Sequence, residues 1–234
     1  MIHGQSLLMI ETVAAGLAPL LDRVVFIGGA STCLLIDDPA AQLVRPTDDV
    51  DCVMEIASRL DYSEIESELR RLGFVHDMEP GAPICRWRYK GVKVDVMPDD
   101  PSILGFSNRW YKEGIACAQD VVLPRGRSIL CFTLPYFLAS KIEAFKSRGT
   151  DFRTSHDVED IVIVMDGRID LDEISRAPSS VAAYLRCEFN IFLEDTNFVE
   201  SVHGHLPPDP SNAARANRMI AFLRDFVASR KAKN

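Results

Sequence analysis

Residues 24–55 constrain this chain more than any other stretch. They open with the apolar run Val24-Val25-Phe26-Ile27, turn at Gly28-Gly29-Ala30-Ser31, and reach Arg45-Pro46-Thr47-Asp48-Asp49-Val50-Asp51-Cys52-Val53-Met54. An unbroken apolar run closed by two glycines predicts a buried strand followed by a sharp bend. In the second run the side chains alternate between the two faces of a strand. Asp49 and Asp51 therefore share one face, while Val50, Cys52 and Met54 line the other. Two like charges that close repel unless something positive stands between them, and a divalent ion with oxygen preference is the commonest answer. The glycines let a backbone approach a ligand closely, a helix after them would aim free N–H groups at an anion, and Ser31 adds a hydroxyl. The stretch reads as a magnesium site beside a phosphate-binding turn, although Gly-Gly-x-Ser by itself more often marks a plain turn.

At 234 residues and 47% hydrophobic content the chain can build one large domain or two small ones. Its net charge of -8 argues against broad adhesion to nucleic acid or acidic membrane and leaves room only for a local basic groove. Cysteines 33, 52, 85, 117, 131 and 187 show no CxxC pair and no zinc spacing, so they read as reduced, mostly buried thiols. The opening residues Met1-Ile2-His3-Gly4-Gln5 lack the pattern of a secretory leader, and no apolar run approaches the ~20 residues of a membrane span. The expectation is a cytoplasmic protein with no membrane association. Histidines 3, 76, 156, 203 and 205 form no ligand spacing; His203-Gly204-His205, just before Pro207-Pro208, reads as a loop.

Helical spacing predicts helices over residues 6–21 and 62–72, the second closed by Gly73, with a short helix over 30–36 between them. Thr47, just ahead of the acidic strand, has a plain reading as a turn cap. Residues 84–89 and 92–97 predict two strands joined by a tight hairpin at Lys90-Gly91. In the second, Val92, Val94 and Val96 alternate with Lys93, Asp95 and Met97. If it neighbours the Asp49/Asp51 strand, Asp95 joins them as a third carboxylate; otherwise Lys93 and Asp95 are an ordinary solvated face. Residues 98–127 give no clear pattern. One more strand is expected over 128–132, and from there the pattern turns helical to the end, which places a domain boundary near Phe132.

The helix expected over residues 134–147 carries Leu134, Phe137, Leu138, Ile142 and Phe145 on one arc, with Lys141 in the middle of it. The next, starting near Ser155, sets Asp157 on the side of Ile161, Val164 and Met165. A charge on a core-facing stripe needs a partner. Two readings stay open: a buried Lys141–Asp157 clamp between the helices, or a pair facing a cleft with Lys141 turned to a phosphate. Further helices are expected over 179–192 and 212–229, ahead of the basic tail Arg230-Lys231-Ala232-Lys233.

Taken in order, Gly28-Gly29-Ala30-Ser31, Arg45-x-Thr47-x-Asp49-Val50-Asp51, Lys93-Val94-Asp95, Lys141 and His156-Asp157-Val158-Glu159-Asp160-Ile161 resemble the DNA polymerase β-like nucleotidyltransferase superfamily. Within it the chain looks like the AbiEii/MenT group of bacterial nucleotidyltransferases. The resemblance spans residues 26–161. One departure is that the last motif usually reads Lys-Asp-x-x-Asp, whereas His156 stands at the lysine position here, so no role is carried over to it.

The resemblance implies an α/β fold, with a mixed-sheet, polymerase β-like catalytic domain over residues 1–131. An all-α domain over 132–234 would complete the nucleotide and acceptor cleft. It implies nucleotidyl transfer, in which a hydroxyl attacks the α-phosphate of a nucleoside triphosphate and pyrophosphate leaves. Asp49 and Asp51 would ligate two Mg²⁺ ions and Asp95 would complete the one at the acceptor. Gly28, Gly29 and Ser31 would cradle phosphates, Lys141 would neutralise the triphosphate, and Asp157 would orient Lys141 or touch the nucleotide. The implied acceptor is the tRNA 3′ end, the implied biology a toxin held by an antitoxin protein. Arg86, Arg88, Lys90, Arg109, Lys112, Arg125, Arg127, Lys146, Arg148 and Arg153 are available to grip RNA. A small antibiotic-type molecule or a protein hydroxyl as acceptor stays open, and so does a non-catalytic nucleotide-binding or regulatory protein.

Overall fold

The computed structural model describes residues 2–38, 41, 45–149 and 151–229, so the basic tail from Arg230 lies outside the described residues. In chain order the elements are α1 (Ile2–Gly16), β1 (Val24–Ile27), α2 (Thr32–Leu35), β2 (Asp49–Met54), α3 (Arg59–Arg71), β3 (Val75–His76), β4 (Arg86–Tyr89), β5 (Val92–Pro98), α4 (Pro101–Leu104), α5 (Tyr111–Ala116), β6 (Gln119–Val122) and β7 (Ser128–Cys131). They continue with α6 (Leu134–Arg148), α7 (His156–Gly167), α8 (Glu173–Arg176), α9 (Ser179–Glu194), α10 (Thr196–His205) and α11 (Asn212–Ala228). Two compact units result: Met1–Leu34 with Arg45–Thr133, and Leu35–Val44 with Leu134–Asn234. A mixed sheet followed by helices is the α/β architecture expected.

In the first unit the seven strands run in the order β3-β4-β5-β2-β1-β7-β6. β1 is apolar throughout because it is a central strand, antiparallel to β2 on one side and parallel to β7 on the other. β2 and β5 are parallel neighbours, and β5 folds back on β4 across the Lys90-Gly91 turn. Both turn residues take positive φ, +48° at Lys90 and +83° at Gly91, the left-handed pair that a two-residue hairpin requires. One sheet face is sealed by α1 and α3: Ile10, Val13 and Ala14 of the first and Tyr62, Ile65 and Leu69 of the second share a core with Val50, Cys52, Val94 and Val96. The carboxylates of β2 are left on the opposite face. α3 starts where the Ser58 hydroxyl accepts the Asp61 N–H and ends at Gly73.

The second unit is helical among its described residues. Phe145, Phe152, Phe192 and Phe198 stack edge-to-face and tilted at its centre, with centroids 4.7–5.7 Å apart. The described part of residues 35–44 belongs here too: the Asp37 and Asp38 N–H groups donate to the Gly167 carbonyl, and Arg168 donates to that of Leu35. The division between the units falls after Thr133, with the described part of residues 35–44 on the helical side.

Two expectations are corrected. His203 and His205 lie in the last turn of α10, not in a loop. His205 Nε2 sits 2.7 Å from the Phe152 carbonyl and His203 Nδ1 3.3 Å from Asn212 Oδ1, so tertiary contacts extend the helix to the prolines. Residues 98–127, patternless in sequence, hold α4, α5 and β6. α4 is only four residues long, is capped by Asp100 and stops at Gly105, too short for periodicity to register.

Candidate functional site: an acidic sheet face

The register of β2 against β5 sets Asp51 directly beside Asp95 and Asp49 beside Lys93. Neighbouring positions of a parallel pair share a face, so the three aspartates stand on one side of the sheet. Between them lies Arg86 of β4, the cross-strand partner of Asp95. Its Nε donates to Asp95 Oδ1 at 2.7 Å, and its Nη2 donates to Asp95 Oδ2 at 2.7 Å and to Asp49 Oδ2 at 2.8 Å. The fourth oxygen, Asp49 Oδ1, accepts the Thr47 hydroxyl at 3.0 Å. Every oxygen of Asp49 and Asp95 thus has a donor. The bond to Asp95 and burial act in opposite directions on Arg86, and the carboxylates win, raising its already high pKa. On the far side of the sheet, burial first and then the charges of Asp51 and Asp95 hold the Cys52 thiol well above its ordinary range.

The turn after β1 is fitted to this face. β1 pairs Ile27 with Asp51, so Gly28 meets the Asp51 side chain; a Cβ at Gly28 would stand 1.9 Å from Asp51 Oδ2. Gly28 also holds φ +74°, a conformation only glycine adopts cheaply. Ser31 is fully buried and its hydroxyl donates to the Gly28 carbonyl at 2.8 Å, bracing the turn from inside. Reaching a phosphate would require that side chain to rotate outward.

Lys141 and Asp157 belong to the second unit, within a buried ionic cluster joining α6 to α7. Lys141 Nζ donates to Asp157 Oδ1 at 3.2 Å and makes a charge contact at 2.7 Å with Asp160 Oδ2; Arg148 Nη1 donates to Asp157 Oδ2 at 2.9 Å. These distances describe the helix clamp, one of the two readings that the apolar arcs leave open. His156 is exposed at the start of α7, its Nδ1 3.2 Å from Glu159.

Sequence reasoning passes over Arg86 and Thr47. Arg86 counts there as one basic residue among many, and Thr47 as a turn cap. The hairpin held the signal: with Tyr89 opposite Val92, partner numbers sum to a constant that sets Arg86 opposite Asp95. Of the other basic residues expected to grip RNA, Arg88, Arg125, Lys146, Arg148 and Arg153 also close ion pairs within their own units.

The donor chemistry of this face fits a hard divalent cation: carboxylate oxygens only, on rigid strands, beside a turn whose cradle a Cβ would fill. As the side chains stand, no three acidic, histidine or cysteine groups among the described residues close on a common point. The guanidinium holds the central position. Among the described residues no helix is long and apolar enough to cross a membrane.

No protein-family model matches the chain, and no curated protein matches it significantly. Among solved structures it is similar to an antigenic nucleotidyltransferase-like protein from Paracoccidioides brasiliensis, with TM-score 0.48 and 17% identity over 86% of this chain and 93% of that one. It is also similar to the antibiotic-resistance factor ANT(2'')-Ia, with TM-score 0.45 and 15% identity over 83% of this chain and 97% of that one. Likeness at that level assigns no activity.

Proposed function

We propose that the first unit carries a divalent-cation-dependent nucleotidyltransferase centre on the Asp49/Asp51/Asp95 face. The observation that carries this reading is the β2·β5 register, which sets Asp51 beside Asp95 and Asp49 on the same face. A carboxylate face alone would repel a triphosphate, so the chemistry requires a cation there. Magnesium, when bound, supplies the positive charge that draws the phosphates in and lowers the pKa of the acceptor hydroxyl. Asp49, Asp51 and Asp95 would hold it.

In the reaction the acceptor oxygen forms a bond to the α-phosphorus, the bond from that phosphorus to the β-bridging oxygen breaks, and pyrophosphate leaves with the electron pair. The acceptor proton passes to a carboxylate of this face, Asp95 in our reading. Thr47 steadies Asp49 through its hydroxyl, so the ligand carboxylate starts near one orientation. Gly28 and Gly29 present backbone without side chains to the phosphates, with Ser31 beneath them.

The acceptor in this reading is the 3′ end of tRNA and the setting a toxin restrained by an antitoxin, both resting on the AbiEii/MenT resemblance. Wild-type protein should transfer label from one of the four α-³²P nucleoside triphosphates to total tRNA in the presence of Mg²⁺, and Asp49→Ala should not. Nuclease digestion of the product decides the acceptor, because only an RNA product disappears. Equal transfer by wild type and Asp49→Ala would sink the centre.

A further inference from the structure

Arg86 is in direct contact with both Asp49 and Asp95, and it uses the oxygens that a divalent ion would need. Bidentate and cross-strand, the contact to Asp95 follows from the hairpin register, which sets Arg86 opposite it. A guanidinium and a divalent ion cannot both hold these oxygens at low cost, because like charges within a few ångströms repel strongly where water is partly excluded. Without any cation, the two carboxylates would repel each other. Arg86 suits the interval between. It is planar and stays charged, and with its side chain 18% exposed against 29% for Asp49 the pair is partly screened by water.

Resting on the metal-centre reading above, we propose that Arg86 is a resident counter-ion that holds Asp49 and Asp95 in place and is displaced when a divalent cation binds. Arg86 is thus a positioning residue that sets cation affinity. The metal must outcompete a preformed bidentate pair, which weakens its binding. Arg86 likewise secures the face when no metal is bound, so metal becomes stabilising once Arg86 is removed.

Calorimetric titration of Mn²⁺ and Mg²⁺ into wild type, Arg86→Gln, Arg86→Lys and Asp49→Asn tests this without any turnover. Arg86→Gln should bind either ion about tenfold more tightly than wild type, with Arg86→Lys between them because it keeps the charge and loses the fork. Arg86→Gln should also melt lower than wild type in chelator and gain more from added Mg²⁺. In ¹⁵N spectra of the wild type, the Arg86 Nε–H signal should move to a solvent-exposed position as Mg²⁺ saturates; this measurement stands if Arg86→Gln does not fold. Equal or weaker binding by Arg86→Gln, or an unmoved Nε–H signal at saturation, overturns the proposal while Asp49-dependent binding keeps the centre. No divalent binding by wild type or Arg86→Gln overturns both.

Discussion

Each unit places carboxylates beside basic groups, and the two clusters are built on opposite terms. On the sheet face, Asp49 and Asp95 share one guanidinium, and a third carboxylate, Asp51, stands beside Asp95. Between α6 and α7, Lys141 meets Asp157 and Asp160 while Arg148 closes on Asp157, so two cations face two carboxylates. Exposure separates them as well: the Asp49 side chain is 29% exposed, those of Asp157 and Asp160 4% and 2%. Lys141 and both carboxylates are buried while Arg148 is 71% exposed, so the cluster is a fastener on its buried side, costly to break there. The acidic face, where two carboxylates share one guanidinium and are partly wet, can exchange that guanidinium for a divalent cation.

The largest expected contrast between the units comes from their thiols. Cys33, Cys52, Cys85 and Cys131 sit in the first unit; the second has Cys187, which is exposed. Burial pushes Cys33, Cys85 and Cys131 from 9.0 to about 12, and Cys52 well above 9.0. The unfolded chain ionises these thiols near 9 while the folded one keeps them protonated. Their contribution is therefore whole below pH 9 and is lost as pH rises through 9 toward 12. The first unit should lose on the order of several kcal/mol by pH 11, enough to rival the stability of a domain. Hydrogen exchange resolved by peptide checks it; equal losses in both units would erase the distinction.

Next in size is Lys141→Met. It removes the buried ammonium that faces Asp157 and Asp160 and leaves Arg148 on Asp157, an expected loss of about 3–5 kcal/mol in urea unfolding. Adding Asp157→Asn and Asp160→Asn should recover part of it. A loss under about 1 kcal/mol would mean that the cluster is not a fastener.

The sequence shows half of this contrast. Alternation in Asp49-Val50-Asp51 and the Lys90-Gly91 hairpin place all three aspartates on strands, because strand faces and tight turns are local rules. That β2 and β5 are neighbours is not local: it depends on a crossover through α3, β3 and β4, and the sequence poses it only as a condition. In α6 the apolar arc exposes Lys141 as an anomaly but cannot say whether its partner is a phosphate or a carboxylate; Asp160, one turn on from Asp157, settles the burial. Tertiary contact likewise decides His205, whose link to Phe152 spans 53 positions.

Gly28→Ala tests the turn's fit to the acidic face. Its φ of +74° and the 1.9 Å approach of Asp51 Oδ2 predict a loss of about 1–3 kcal/mol and weaker Mn²⁺ binding. Gly126→Ala is the control: its φ is +82° but nothing lies within 4 Å of its Cβ, so it should show backbone strain alone and leave Mn²⁺ affinity unchanged. Equal Mn²⁺ affinity in the two variants would separate the turn from the face.

The smallest expected stability effect belongs to the most damaging change for activity. Asp49→Asn removes one charge from an acidic face and keeps the side chain's shape, while Arg86 retains both bonds to Asp95. Two terms oppose: one charge-assisted hydrogen bond is weakened, and repulsion from Asp51 and Asp95 falls. At a position 29% exposed both are screened, so the net change should stay within about 1 kcal/mol of zero, of either sign. Nucleotidyl transfer should fall at least ~100-fold, because the lost charge is one the centre needs only when the cation and triphosphate are bound. Urea unfolding and the label-transfer assay on one preparation check both halves. If Asp49→Asn destabilises the protein as much as Lys141→Met does, the acidic face is a second fastener and the contrast between the units collapses.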